Sequence, residues 1–124
     1  MELQQLRAKA KEHRHNLNKM NAGRYSEGNE YEIQARLENY FISNQIPYKR
    51  EVKIKYGRID FVTESHLYEV KKLWNKADIF NAIGQLTYYN RCHNDKYISS
   101  LCSEQFTPNQ LDLLKTLNIE AKVI

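Results

Sequence analysis

The sequence predicts an α/β fold in which a mixed central sheet is flanked by helices. Three observations predict it. Residues 49–73 hold three short runs of alternating or apolar character, separated by tight polar turns. Apolar residues spaced three and four apart bracket that block, at residues 26–44 and 75–91. A further strand, helix and strand then fill residues 97–124. The order is helix, helix, three strands, helix, strand, helix, strand. A strand that returns through a helix predicts a right-handed crossover to a parallel neighbour.

Each element has its own signal. Over residues 2–20, Leu3, Leu6, Ala10, His13, Leu17 and Met20 recur at alternating steps of three and four, which makes an extra N-terminal helix with a narrow apolar seam. Asn21-Ala22-Gly23 ends it. A second helix runs from near Ser26 to about Asn44, with Ile33, Leu37, Tyr40 and Phe41 as its buried stripe. Glu30 projects to the same side, while Glu32 and Glu38 point elsewhere. Pro47 breaks this helix. In the first strand Val52, Ile54 and Tyr56 share one face, and Glu51, Lys53 and Lys55 the other. Gly57 permits the bend into the second strand, and Thr63-Glu64-Ser65-His66 turns into the third, Leu67 to Leu73. Asn75 caps the next helix, with Asp78 in the capping-box position and Ile79, Ala82, Ile83 and Leu86 as its core stripe. Tyr97 to Leu101 is a fourth strand. Thr107-Pro108-Asn109-Gln110 starts a helix that sets Leu111, Leu114 and Leu117 on one face. Residues 119–124 read as a closing strand.

The 124 residues and 41% hydrophobic content support one core rather than two. No apolar run approaches membrane-spanning length, so no membrane partner is expected. Two cysteines without metal-ligand spacing, and no signal-peptide pattern, lead to the expectation of a reduced, cytoplasmic protein that acts at the nucleoid. The net charge of +4 is unevenly placed. Residues 1–25 hold six basic residues, Lys11 and Arg14 among them, against two acidic ones, and the remainder balances at thirteen of each. Residues 1–25 therefore read as a basic helical arm that could hold phosphates, or as a solvated helix surface, and residues 26–124 as the domain.

Chemistry concentrates in Gly57-Arg58-Ile59-Asp60-Phe61-Val62 and Leu67-Tyr68-Glu69-Val70-Lys71-Lys72. Side chains alternate along a strand, so Glu69 and Lys71 share a face, and a hairpin can bring Asp60 beside them. Two carboxylates and an ammonium on one patch suit a hard cation and a polarised water. The alternative is an ordinary ion pair. Against it, both strands read as central, where charges are costly. Lys72 faces the other side, as a structural or rim charge. Arg58, Lys53 and Lys55 are candidates for nucleic-acid backbone contacts, with Tyr48 and Tyr56 available for stacking. His66 and His93 show no partners in the sequence.

Glu69-Val70-Lys71 as an E-x-K motif, with Ile59-Asp60 before it, resembles the PD-(D/E)XK nuclease superfamily, although the proline of that name is absent. The resemblance covers residues 26–124 as an order of elements and implies the restriction-endonuclease-like core. It implies that Asp60 and Glu69 hold Mg²⁺, with Mn²⁺ as a substitute and the Val70 main-chain carbonyl as a further ligand. Lys71 would orient or deprotonate the attacking water and stabilise negative charge. Glu30 would join the metal site from its helix, with Glu32 in reserve. Gln85, in Gly84-Gln85-Leu86-Thr87-Tyr88, matches a glutamine that many members carry beside the site.

The expectation is therefore a small Mg²⁺-dependent DNA endonuclease, in size like homing endonucleases, Holliday-junction resolvases or mobile-element nucleases. It would act as a homodimer or higher oligomer, because one metal site cuts one strand. A noncatalytic nucleic-acid-binding or assembly module of the same fold, and an RNA nuclease, are the rival readings.

Overall fold

The computed structural model describes residues 30–124. The N-terminal arm, with Lys11 and Arg14, lies outside the described residues. The chain divides into two compact units, Met1–Pro47 and Tyr48–Ile124.

In the first unit, α1 spans Glu30–Ser43. Its buried residues are Ile33, Leu37, Glu38, Phe41 and Ile42, so the stripe is wider than the expected one. Glu38 and Ile42, four apart, form an added column beside Leu37 and Phe41. Two expectations are corrected here. Glu38 has no solvent exposure, whereas Tyr40 is the exposed aromatic of the helix.

The second unit is built on one five-stranded sheet in the order β1-β2-β3-β4-β5. The strands are β1 (Lys49–Ile54), β2 (Gly57–Val62), β3 (His66–Val70), β4 (Ile98–Ser103) and β5 (Glu120–Val123). The first three are joined by short turns and run antiparallel, while β3, β4 and β5 run parallel. The parallel pairs require crossovers, which α2 (Lys76–Cys92) and α3 (Pro108–Thr116) supply. Both crossovers step in the same direction, so right-handed connection places both helices on one face of the sheet. One core cluster accordingly joins Ile59, Leu67 and Leu101 from the sheet with Ile79, Ala82 and Leu86 from α2 and Leu114 from α3.

Both helix starts have the local chemistry expected of them. The Asn75 side chain accepts from the Asp78 N–H while Asp78 Oδ2 accepts from the Asn75 N–H, each at 3.1 Å. Thr107 and Gln110 make the same reciprocal pair, with Pro108 at the first helical position. The apolar face of α3 is narrower than expected. Leu114 is its buried residue, whereas Leu111 and Leu117 are exposed. A helix this short covers the core with Leu114 and the partly buried Leu113. Tyr48 is also corrected: it is buried, edge-on to the Phe61 ring at 5.8 Å, and unavailable for stacking on a ligand. The two histidines have partners after all. His66 stacks on Tyr68 and His93 on Tyr89.

Candidate active site

The site starts from strand register. Phe61 pairs with Tyr68 and Val62 with Leu67, so the next position sets Asp60 opposite Glu69. Both strands are interior, and both carboxylates are buried, at 7% and 3% exposure. Burial of two like charges is unfavourable unless hydrogen bonds and a cation compensate.

The main chain supplies the hydrogen bonds. Asp60 Oδ2 accepts from the Val70 N–H at 2.8 Å, and Glu69 Oε1 accepts from the Asp60 N–H at 3.3 Å. Each carboxylate therefore caps backbone on the opposite strand. A regular antiparallel ladder would use those N–H groups between strands, so the ladder gives way to side chains at this point. The β1–β2 register passes over the same place: Arg50 pairs with Phe61 and Val52 with Ile59, leaving Glu51 and Asp60 between them. Glu51 sits at φ 51°, a left-handed conformation uncommon for a residue with a Cβ. Ile59 and Val62, three apart, both join the core cluster, which strict alternation would forbid. The pleat is thus broken at Asp60, and that break lets its carboxylate meet the backbone of β3.

Glu69 shares its face with Leu67, which belongs to the core cluster with α2. Lys71 lies just past the end of β3, and its N–H donates to the Cys102 carbonyl at 3.0 Å, which continues the strand direction for one more residue. Lys71 then reaches a groove that it lines with Gln85 and Asn81 of α2 and with Lys53 and Arg58 of the β1–β2 hairpin. Gly57 belongs to the same wall. A Cβ at Gly57 would stand 3.4 Å from Gln85 Oε1, and its φ of 151° already favours glycine. Lys53 and Arg58 are direct cross-strand partners. Like charges in that position repel, so a nearby anion favours the arrangement. Glu51 Oε1 lies 3.9 Å from one Arg58 nitrogen and 3.5 Å from an Arg50 nitrogen.

The remaining candidates separate. Lys55 is at the hairpin tip, its ammonium 5.4 Å from the centre of the Tyr56 ring. Lys72 pairs with Glu104 at 2.6 Å, which makes it structural. Glu30 is half-buried in the first turn of α1, and Glu32 beside it is exposed, both in the first unit. Sequence reasoning passed over Glu38, the fully buried carboxylate of that helix. Its position beside Leu37 and its spacing to Phe41 and Ile42 were the available signal.

The donor set fits a hard cation. Among the described residues no group of three or more His, Cys, Asp or Glu side chains gathers at one point. Two carboxylates suit Mg²⁺, which keeps several of its waters, and not a metal that needs a full nitrogen or sulfur cage. Burial pushes the Cys102 thiol up to about 12, with the Asp60 charge adding to the shift, so it stays protonated at neutral pH.

This strand order, with helical crossovers after β3 and β4, is that of a restriction-endonuclease-like fold. Two solved structures share it. One is a repair endonuclease from Pyrococcus abyssi, at a TM-score of 0.60 and 15% identity, over 73% of this chain and 46% of that one. The other is EndoMS in its complex with dsDNA2, at 0.58 and 16%, over 73% of this chain and 44% of that one. The chain thus spans less than half the length of either. No family model and no curated protein matches the sequence. Among the described residues no helix is long and apolar enough to cross a membrane.

Proposed function

We propose that the protein is a metal-dependent endonuclease that hydrolyses DNA phosphodiester bonds. The observation that carries this reading is the exchange of main-chain bonds between Asp60 and Glu69 inside two interior strands. Buried carboxylates cost desolvation that apolar residues at the same positions would avoid, so their presence in two interior strands points to a function. One structural neighbour is a repair endonuclease and the other is EndoMS in complex with dsDNA2, which supports the choice of reaction and substrate.

In this reading Asp60 and Glu69 hold the ion, with the Val70 carbonyl beside them. Mg²⁺, or Mn²⁺ in its place, would supply Lewis-acid stabilisation of the phosphoryl group and lower the pKa of water. Lys71 orients or deprotonates the attacking water and opposes negative charge that develops on phosphorus. Gln85 orients that water or a phosphate oxygen. Lys53, Lys55 and Arg58 hold the strand through its phosphates, which makes affinity fall as salt rises. Each chain carries one such site, so duplex cleavage takes a pair of chains.

Nicking of supercoiled plasmid tests the reading. Wild type should cut with Mg²⁺ and stop when EDTA is added. Lys71→Ala and Asp60→Asn should each slow cutting at least about a hundredfold while the fold is retained. Metal-dependent cutting of neither supercoiled, branched nor single-stranded DNA would overturn it. DNA binding without cutting would then identify a noncatalytic module, and metal-dependent cutting confined to RNA would identify an RNA nuclease.

A further inference from the structure

We propose that the groove beside Lys71 and Gln85 takes an unpaired nucleotide whose base stacks on Tyr56. The inference rests on the nucleic-acid reading above and narrows the substrate to one with an unstacked base.

Tyr56 meets the Lys55 ammonium and the Tyr88 ring, yet neither contact buries it. β1 and β2 are joined by the two-residue turn Lys55–Tyr56, flanked by the pair Ile54 and Gly57. Such turns favour Asn-Gly, because the backbone twist that matches the strands needs positive φ. Here the positive φ in the hairpin falls at Gly57 and Glu51, outside the two turn residues. The turn does not select tyrosine, and neither does the core. Tyr56 is 73% exposed. An exposed aromatic at a hairpin tip costs solvation that an asparagine would avoid.

Its surroundings match one kind of ligand. The Tyr88 ring, from α2, stands 5.7 Å away at 57° and props one side of Tyr56, while most of the ring remains in water. The ring opens onto a groove of about 590 Å³, within the range of small-ligand sites. Lys53, Arg58 and Lys71 line that groove with the amides of Asn81 and Gln85, and among the described residues no carboxylate lines it. The cations suit phosphate. The amides can both donate and accept, which suits base edges and sugar hydroxyls. A base within a continuous duplex is covered on both faces by its neighbours. Only an unpaired nucleotide offers a free π-face to the tyrosine.

Binding measured in EDTA, where no metal-dependent cutting occurs, separates this inference from the catalytic one. The full chain would be titrated with a fluorescein-labelled single-stranded oligonucleotide and with the matching duplex at one salt concentration. Tyr56→Ala should weaken the single strand about tenfold and the duplex by less than about twofold, and Tyr56→Trp should restore the loss. Equal losses on both substrates, no loss on either, or a wild type that binds neither would overturn the inference. A protein that cuts nothing in the plasmid assay, yet loses single-strand affinity on Tyr56→Ala, would sink the nuclease reading and leave the stacking site standing.

Discussion

Asp60 and Glu69 each serve two ends, and the two conflict. As acceptors for main-chain N–H groups they tie β2 to β3, where a charge-assisted bond contributes about 1.5–3 kcal/mol. As buried like charges they oppose folding. An amide keeps the first role and removes the second, because its carbonyl oxygen still accepts. Asp60→Asn and Glu69→Gln should therefore raise stability in EDTA by about 1 kcal/mol while activity is lost, as is usual when a strained functional charge is removed. Thermal or urea unfolding in EDTA checks this, and a loss of more than about 1 kcal/mol in both variants would assign the carboxylates a purely structural role. At this scale much was legible in the sequence. The spacing of Asp60 and Glu69 allowed a hairpin to bring them side by side, and the register does so, while Lys71 on the Glu69 face is an expectation from strand alternation. Glu38 and Tyr48 were misjudged, because a helix stripe one column wider, or a strand residue turned inward at Phe61, leaves little trace in periodicity.

At the scale of elements, α2 sets the groove. It carries Gln85 and Asn81 on the side toward Lys71, and Ile79, Ala82 and Leu86 toward the sheet. Its N-terminus is held by the reciprocal bonds of Asn75 and Asp78, and Asp78 Oδ2 also accepts from the Trp74 N–H at 3.1 Å. Asn75→Ala should cost about 1 kcal/mol, measured by urea unfolding, with the sheet intact by circular dichroism. An unchanged midpoint would show that α2 is positioned by its core face alone. Both capping boxes were legible, since they depend on residues three apart in the chain. The break in the β1–β2–β3 pairing was not. It combines a left-handed Glu51, a displaced Asp60 and side chains in place of ladder bonds. None of these has a local sequence signature, because each is imposed by the neighbouring strand.

At the scale of the molecule, the sheet places its chemistry where its two halves meet. The antiparallel strands β1 to β3 bring Asp60 to Glu69, and the crossover from β3 into α2 brings Lys71 to Gln85. The element order alone anticipated this mixed sheet, since hairpin turns impose antiparallel pairing and intervening helices impose parallel pairing. The basic arm at residues 1–25 belongs to the same picture as a proposed source of phosphate affinity, and it lies outside the described residues. The central claim is that Asp60 and Glu69 form a hard-cation site beside Lys71. Anomalous scattering from crystals soaked in Mn²⁺ tests it most directly. The account predicts one strong peak bridging the two carboxylates, lost in Asp60→Asn. Well-ordered carboxylates with no peak between them, at Mn²⁺ concentrations that occupy other sites in the crystal, would contradict it.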